Sequence, residues 1–296
     1  MEKFVALIKS GKSVILDTDI GPDCDDVGSL VILYHFAKEA GIPVLATVNC
    51  TSNPYGNGTL DVINRYFGYT DVRIAQYEKD GFLDGEETLK FNRALTEKFG
   101  GSINAASSLE TYRECLESAK DGGVILITIG QFNTAAGALK AFPELFNKKI
   151  SHIVSMAAAF PEGREYNVFC DAEAAKYVFD NFSGEIICSG FEVGETVMTG
   201  FAGETDVEND PIKLAYLLYN GPSIIRNSWD LTAVHFACTA DEHFYKISEP
   251  GRMEILPDGR NRFHADEPGN CRYLIKNTSD EELAAYLNKI LAEESK

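Results

Sequence analysis

The chain has 296 residues, enough for one large α/β domain or two small ones, and its 45% hydrophobic and 24% charged residues are those of an ordinary soluble globular protein. A formal net charge of −18 argues against a nucleic-acid backbone as partner, which calls for a basic footprint, and fits a neutral or cationic small ligand. Seven cysteines, odd in number and without Cys-x-x-Cys or Cys/His metal spacing, read as the reduced thiols of a cytoplasmic protein.

The opening stretch, MEKFVALIKSGKSVIL, has no apolar core followed by a small-residue cleavage site, so no signal peptide is expected. A short apolar strand at 13–16 then runs through an acidic loop into a helix at about 26–40. A strand at 43–48, a polar loop (CTSNPYGNG) and a helix around 60–67 follow, then a strand at 72–76. Helix 107–119, strand 124–128, helix 133–141, strand 150–156, helix 172–181 and strand 185–188 continue the alternation. The longest uncharged stretch, 122–139, holds Gln131, Asn133 and two threonines, which suits strand, loop and helix better than a membrane span. Near the C-terminus, 252–256 and 261–265 flank Pro-Asp-Gly and read as a hairpin, and a last helix opens on the capping pattern Ser279-Asp-Glu-Glu282. Nearly all-apolar strands alternating with helices predict an open, mostly parallel sheet covered on both faces, with the small hairpin and helix added at the end. No internal repeat or linker divides the chain, so a single domain over 1–296 is expected.

The chemistry starts in the loop after the first strand. Asp17, Asp19, Asp23, Asp25 and Asp26 place five carboxylates in ten residues, and at close range they repel by a few kcal/mol unless a cation joins them or water separates them. An EF-hand loop counted from Asp17 would need Gly and Glu where Pro22 and Gly28 stand. A phosphatase of the haloacid dehalogenase type would need Thr or Val where Gly21 stands. In an open α/β sheet, ligands bind beyond the carboxyl ends of the strands. The acidic loop lies at that edge, and so do Asn49, the run Gly130-Gln131-Phe132-Asn133 and the run Glu165-Tyr166-Asn167.

Asp17-Thr-Asp19-Ile-Gly21-Pro-Asp23-Cys-Asp25-Asp26 resembles the opening motif of the nucleoside hydrolase family, Asp-x-Asp-x-Gly-x-Asp-Asp, with two residues more. Three further segments resemble that family in the same order: ITIGQFNTAAGAL, EYNVFCDAEAA and SWDLTAV. The resemblance implies a Rossmann-like core and a Ca²⁺ ion held by Asp19, Asp26, Asp230 and the main-chain carbonyl of Ile129. It further implies that Asp19 takes the proton of the attacking water, and that Asp25, Asn49, Glu165 and Asn167 meet the ribose hydroxyls. Asn49 has a second reading as a cap of its own turn, and Asp17 reads as a residue that orients its neighbours.

The chain departs from the family where a histidine often serves as leaving-group acid, since Trp229 stands before Asp230. Indole cannot donate a proton at neutral pH but can stack on a flat leaving group. None of the five histidines has a motif around it that makes it an acid. The implied activity is metal-dependent hydrolysis of the N-glycosidic bond of a ribonucleoside or related riboside, by a cytoplasmic homo-oligomer of two or four copies that engages neither nucleic acid nor membrane. A riboside-binding or sensing protein without turnover, or a hydrolase of another ribosyl compound, is the alternative.

Overall fold

The computed structural model describes residues 4–203, 207 and 209–295. Its strands in chain order are β1 (Ser13–Thr18), β2 (Val44–Asn49), β3 (Arg73–Gln76), β4 (Ala106–Ser107), β5 (Val124–Thr128), β6 (Ile150–Met156), β7 (Glu162–Gly163), β8 (Glu185–Ser189), β9 (Met198–Gly200), β10 (Ile225–Asn227), β11 (Tyr245–Ile247), β12 (Arg252–Ile255), β13 (Asn261–His264) and β14 (Cys271–Lys276). Nine of them form one sheet in the order β11-β14-β8-β6-β5-β1-β2-β3-β4. All neighbours in it pair parallel except β11, which lies antiparallel on β14. The open, mostly parallel sheet expected from the alternating pattern is therefore present.

The central strands β1 and β5 are buried almost along their whole length, as strands covered by helices on both faces must be. One core lies on each face. The first gathers Leu16, Ile127 and Val154 with helices Asp25–Ala40 and Trp229–Thr239; the second gathers Ile15, Leu126 and Ile153 with helices Ser108–Ser118 and Asn133–Ala141. The successive residues of each strand alternate between them, following the period-2 direction of strand side chains.

The order of the sheet fixes where a ligand can sit. From β1 the chain winds outward through β2, β3 and β4, then returns to the other side of β1 at β5 and winds away through β6, β8 and β14. The connections after β1 and β5 thus leave the sheet in opposite directions and open a crevice at their carboxyl ends.

The C-terminal hairpin is β12 paired with β13, extended by the two-residue strand β7. Ser279 Oγ accepts the Glu282 backbone N–H at 3.2 Å, as the capping pattern predicts for the last helix, Asp280–Glu294. The helix expected around 60–67 starts earlier, at Pro54, with Asn53 as cap accepting from Tyr55 N at 2.9 Å. Gly56 lies inside that helix because Asn49 packs against it: a Cβ there would sit 2.7 Å from Asn49 Nδ2. Among the described residues, no helix is long and apolar enough to cross a membrane.

Candidate active site

Two helix N-termini and the end of β1 meet at the crevice. Asp25 and Asp26 occupy the first turn of helix Asp25–Ala40, and Asp230 the first turn of helix Trp229–Thr239, where the aligned peptide dipoles favour negative charge. The two ends are tied together, since Asp25 Oδ2 accepts the backbone N–H of Asp230 at 3.1 Å, and the Thr18 hydroxyl donates to Asp26. Carboxylate oxygens of Asp23, Asp25, Asp26 and Asp230 all lie within 4.8 Å of one another. Helix ends alone cannot offset four charges that close. Burial and the neighbouring aspartates accordingly push Asp26 and Asp230 well above the usual carboxylate range, and burial with Asp23 does the same to Asp25. Asp23 goes the other way: burial raises it, but its hydrogen bond with Asp25 and its ion pair with Arg226 outweigh that and hold it low.

Asp19 stands beside this cluster, held from another side. The Gln131 amide donates to Asp19 Oδ2 at 2.9 Å and to Asn167 Oδ1 at 3.1 Å, so one fully buried side chain joins β1's loop, β5's loop and the loop after β6. Gly130 allows that contact, since a Cβ there would lie 2.6 Å from both Asp19 N and Cys50 Sγ. Burial lifts Asp19 to about 7 against the pull of the Gln131 hydrogen bond. Glu165 caps the short helix Tyr166–Cys170 by accepting from Asn167 N (2.6 Å) and Val168 N (3.1 Å), and it also accepts from Ala158 N (3.0 Å). Burial carries it to about 7 despite those three donors.

Over this floor the cavity has a volume of about 320 Å³ and an aromatic mouth of Tyr166, Phe191, Tyr219 and Trp229. The Trp229 indole N–H donates to Phe191 O at 3.0 Å, and the two rings stack with centroids 5.5 Å apart. The Arg226 guanidinium lies 5.0 Å from the Trp229 ring centre and 5.0 Å from that of Tyr219, while Nη2 pairs with Asp23 at 2.8 Å. The guanidinium therefore lies against two of the four rings of the mouth.

Residues 14–249 match the family described as inosine-uridine preferring nucleoside hydrolase. The chain belongs to that family. Solved structures agree in fold: the inosine-uridine preferring nucleoside hydrolase from Bacillus anthracis superposes with a TM-score of 0.72 at 17% identity, over 94% of this chain and 98% of that one. A plant nucleoside hydrolase superposes with a TM-score of 0.71 at 17% identity, over 95% and 99%. The type III effector protein XopQ, solved with adenosine diphosphate ribose, reaches 0.75 at 13% identity, over 97% and 95%. No curated protein sequence matches the chain.

Of the residues that the sequence nominated, Asp19, Asp25, Asp26, Ile129, Glu165, Asn167, Trp229 and Asp230 line the same cavity. Asn49 does not. It is fully buried, its amide donates to Asn53 O and Asn57 Oδ1, and its carbonyl accepts from Thr51 N and Oγ1, so it holds its own turn. Asp17 also lies outside the cavity lining, where Tyr112 donates to it at 2.6 Å and Thr134 donates as well. The sequence did not nominate Asp23, Arg226 or the aromatic side chains of Tyr166, Phe191 and Tyr219, which also line the cavity, nor Gln131's grip on Asp19 behind it. The buried histidines face elsewhere; His235 bonds Tyr245 Oη at 3.0 Å, and burial drops it to about 4.

The cluster fits a metal ion. Its donors are all oxygens, its charges stand closer than helix dipoles can neutralise, and among the described residues Arg226 is the one basic side chain lining the cavity, already committed to Asp23. Such a donor set suits a hard divalent cation rather than a thiophilic one.

Proposed function

We propose that the protein hydrolyses the N-glycosidic bond of ribonucleosides or closely related ribosides with the help of Ca²⁺. The observation that carries this reading is the group of four aspartates, Asp23 half-buried and the other three buried, beneath an aromatic mouth in a chain of the nucleoside hydrolase family. Asp26, Asp230, Asp19 and the Ile129 carbonyl would hold the ion, with Asp25 and Asp23 within reach of it. When bound, a hard cation supplies a Lewis acid that acidifies water and grips vicinal hydroxyls.

The remaining steps belong to the side chains. Asp19, which burial pushes up to about 7 before any ion binds, lines the cavity where it can take a proton from the attacking water. Asp25, Glu165 and Asn167 line the space below the mouth and are placed to hydrogen-bond a ribose. Carboxylates around that ring favour the positive charge that the sugar develops as the bond to the base breaks. Trp229, within its stack, receives the departing base but gives it no proton. A protein of two or four copies in a reducing compartment completes the proposal, and the seven unpaired cysteines accord with it.

A second reading, riboside binding without efficient turnover or cleavage of another ribosyl compound, is favoured by Trp229 in place of an acid and by the XopQ structure solved with adenosine diphosphate ribose. One assay separates the two. Inosine, uridine, p-nitrophenyl riboside, nicotinamide riboside and adenosine diphosphate ribose are incubated with the calcium-loaded protein, and free ribose is measured for the ribosides and free adenine for adenosine diphosphate ribose. Ribose from a nucleoside supports hydrolysis; saturable binding with no ribose released from any compound would refute it.

A further inference from the structure

Arg226 stands against the electrostatics of its surroundings. Six carboxylates line the cavity, and charge alone would favour a cationic ligand throughout. Yet one wall of the mouth is a guanidinium, half-buried and fixed from several directions: Asp23 pairs with Nη2 at 2.8 Å, and the rings of Tyr219 and Trp229 flank it. Its Nε is buried and has no hydrogen-bond partner. Asp23, which anchors it, comes from the residues by which this opening loop exceeds the shorter motif. A guanidinium stacked and paired in this way keeps its proton and presents a planar set of donors, so it acts on a ligand as hydrogen-bond donor and as positive charge, never as an acid.

We propose that Arg226 receives the aglycone, and that it selects flat, neutral groups bearing carbonyl or ring-nitrogen acceptors against cationic rings. The inference rests on the riboside reading only in that the sugar fills the acidic floor and leaves the aglycone at the mouth. Asp23 is the positioning residue, holding the guanidinium against the Tyr219 and Trp229 rings at the mouth, where an entering ring meets it. As the base departs with its electron pair, the positive charge steadies the anion that forms, in the place where a proton donor is lacking.

The protein's one tryptophan is Trp229, so its fluorescence reports on this mouth alone. Stopped-flow titrations with inosine, nicotinamide riboside and ribose, read before turnover in calcium-containing buffer, are compared for the wild type and Arg226→Met, with thermal melts beside them. The wild type should bind inosine at least 10-fold more tightly than nicotinamide riboside. Arg226→Met should lose roughly 10- to 100-fold on inosine, the range for a hydrogen bond to a charged donor, lose nothing on nicotinamide riboside, and leave ribose unchanged. The wild-type ratio decides even if the variant fails to fold: equal or tighter binding of nicotinamide riboside overturns the proposal, as does wild type that binds none of the probes. An unchanged inosine affinity in Arg226→Met, or equal losses on both ribosides, overturns it too. Inosine bound with that preference but never cleaved would sink the hydrolysis reading and leave Arg226's role standing; inosine cleaved equally well by Arg226→Met would do the reverse.

Discussion

Replacing Gln131 by methionine keeps most of the volume and removes both of its donors. In the structure those donors serve Asp19 Oδ2 at 2.9 Å and Asn167 Oδ1 at 3.1 Å, and all three side chains are buried. A hydrogen bond to a charged group contributes about 1.5–3 kcal/mol and a stranded buried carbonyl costs about 1–3 kcal/mol, so a loss of about 3–5 kcal/mol is expected. At about 2.1 cal/mol/K per residue, a chain of this length melts with an entropy near 0.6 kcal/mol/K, and Tm should fall by about 5–8 °C. Activity carries a separate signature. The Gln131 hydrogen bond is what lowers Asp19 against the upward push of burial, so its loss raises Asp19 above its present value of about 7. The same 1.5–3 kcal/mol is roughly one to two pKa units, and the pH at which the base ionises moves up by that much. The limb of the activity profile that reports Asp19 should therefore shift to higher pH by about one to two units, with activity lost below it and recovered above it. Calorimetry gives the first number and a pH profile of kcat/KM the second. A variant that loses the same factor at every pH would refute the link through Asp19, and an unchanged Tm would refute the hydrogen-bond count.

Four other outcomes follow from the site. Purified protein should carry one Ca²⁺ per chain by elemental analysis, and Asp26→Ala and Asp230→Ala should carry little. The rise in Tm on adding Ca²⁺ should be larger at pH 7.5 than at pH 5.5: the metal-free fold has raised carboxylates at Asp25, Asp26 and Asp230, so it holds protons that the unfolded chain has released and loses stability as pH rises, whereas the ion displaces those protons. Inosine should be cleaved on the order of 10³-fold faster, in kcat/KM, than 2′-deoxyinosine, because a missing hydroxyl strands buried polar groups, and equal rates would mean that the ribose site is misplaced. Trp229→Ala removes the surface on which Phe191 and Arg226 rest, and kcat/KM should fall roughly 10- to 100-fold, the range of one aromatic–base stack.

What the sequence determined by itself was whatever has a local cause. Apolar runs four to seven residues long, alternating with helical periods, specify a parallel sheet because each strand must bury both faces. Five aspartates packed into ten residues from the end of the first strand announce a charge problem whatever the fold around them, and Ser279 with Glu282 marks a helix start from a four-residue pattern alone. Tertiary structure decided the rest wherever one local signal permits two roles. Asn49 after a strand looks the same whether it faces a ligand or caps its turn, and packing against Gly56 and Asn57 turns it inward. Gly56 and Gly58 read as loop, yet they sit in a helix, and glycine stands there because Asn49 and Thr96 leave no room for a Cβ. Asp23 shows no role until Arg226, 203 positions away, arrives to neutralise it, and Gln131 reveals nothing until it spans 112 positions to Asp19. Such pairings depend on which loops the sheet order brings to one edge, and charge or hydrogen-bonding capacity is written in a residue while its partner is not.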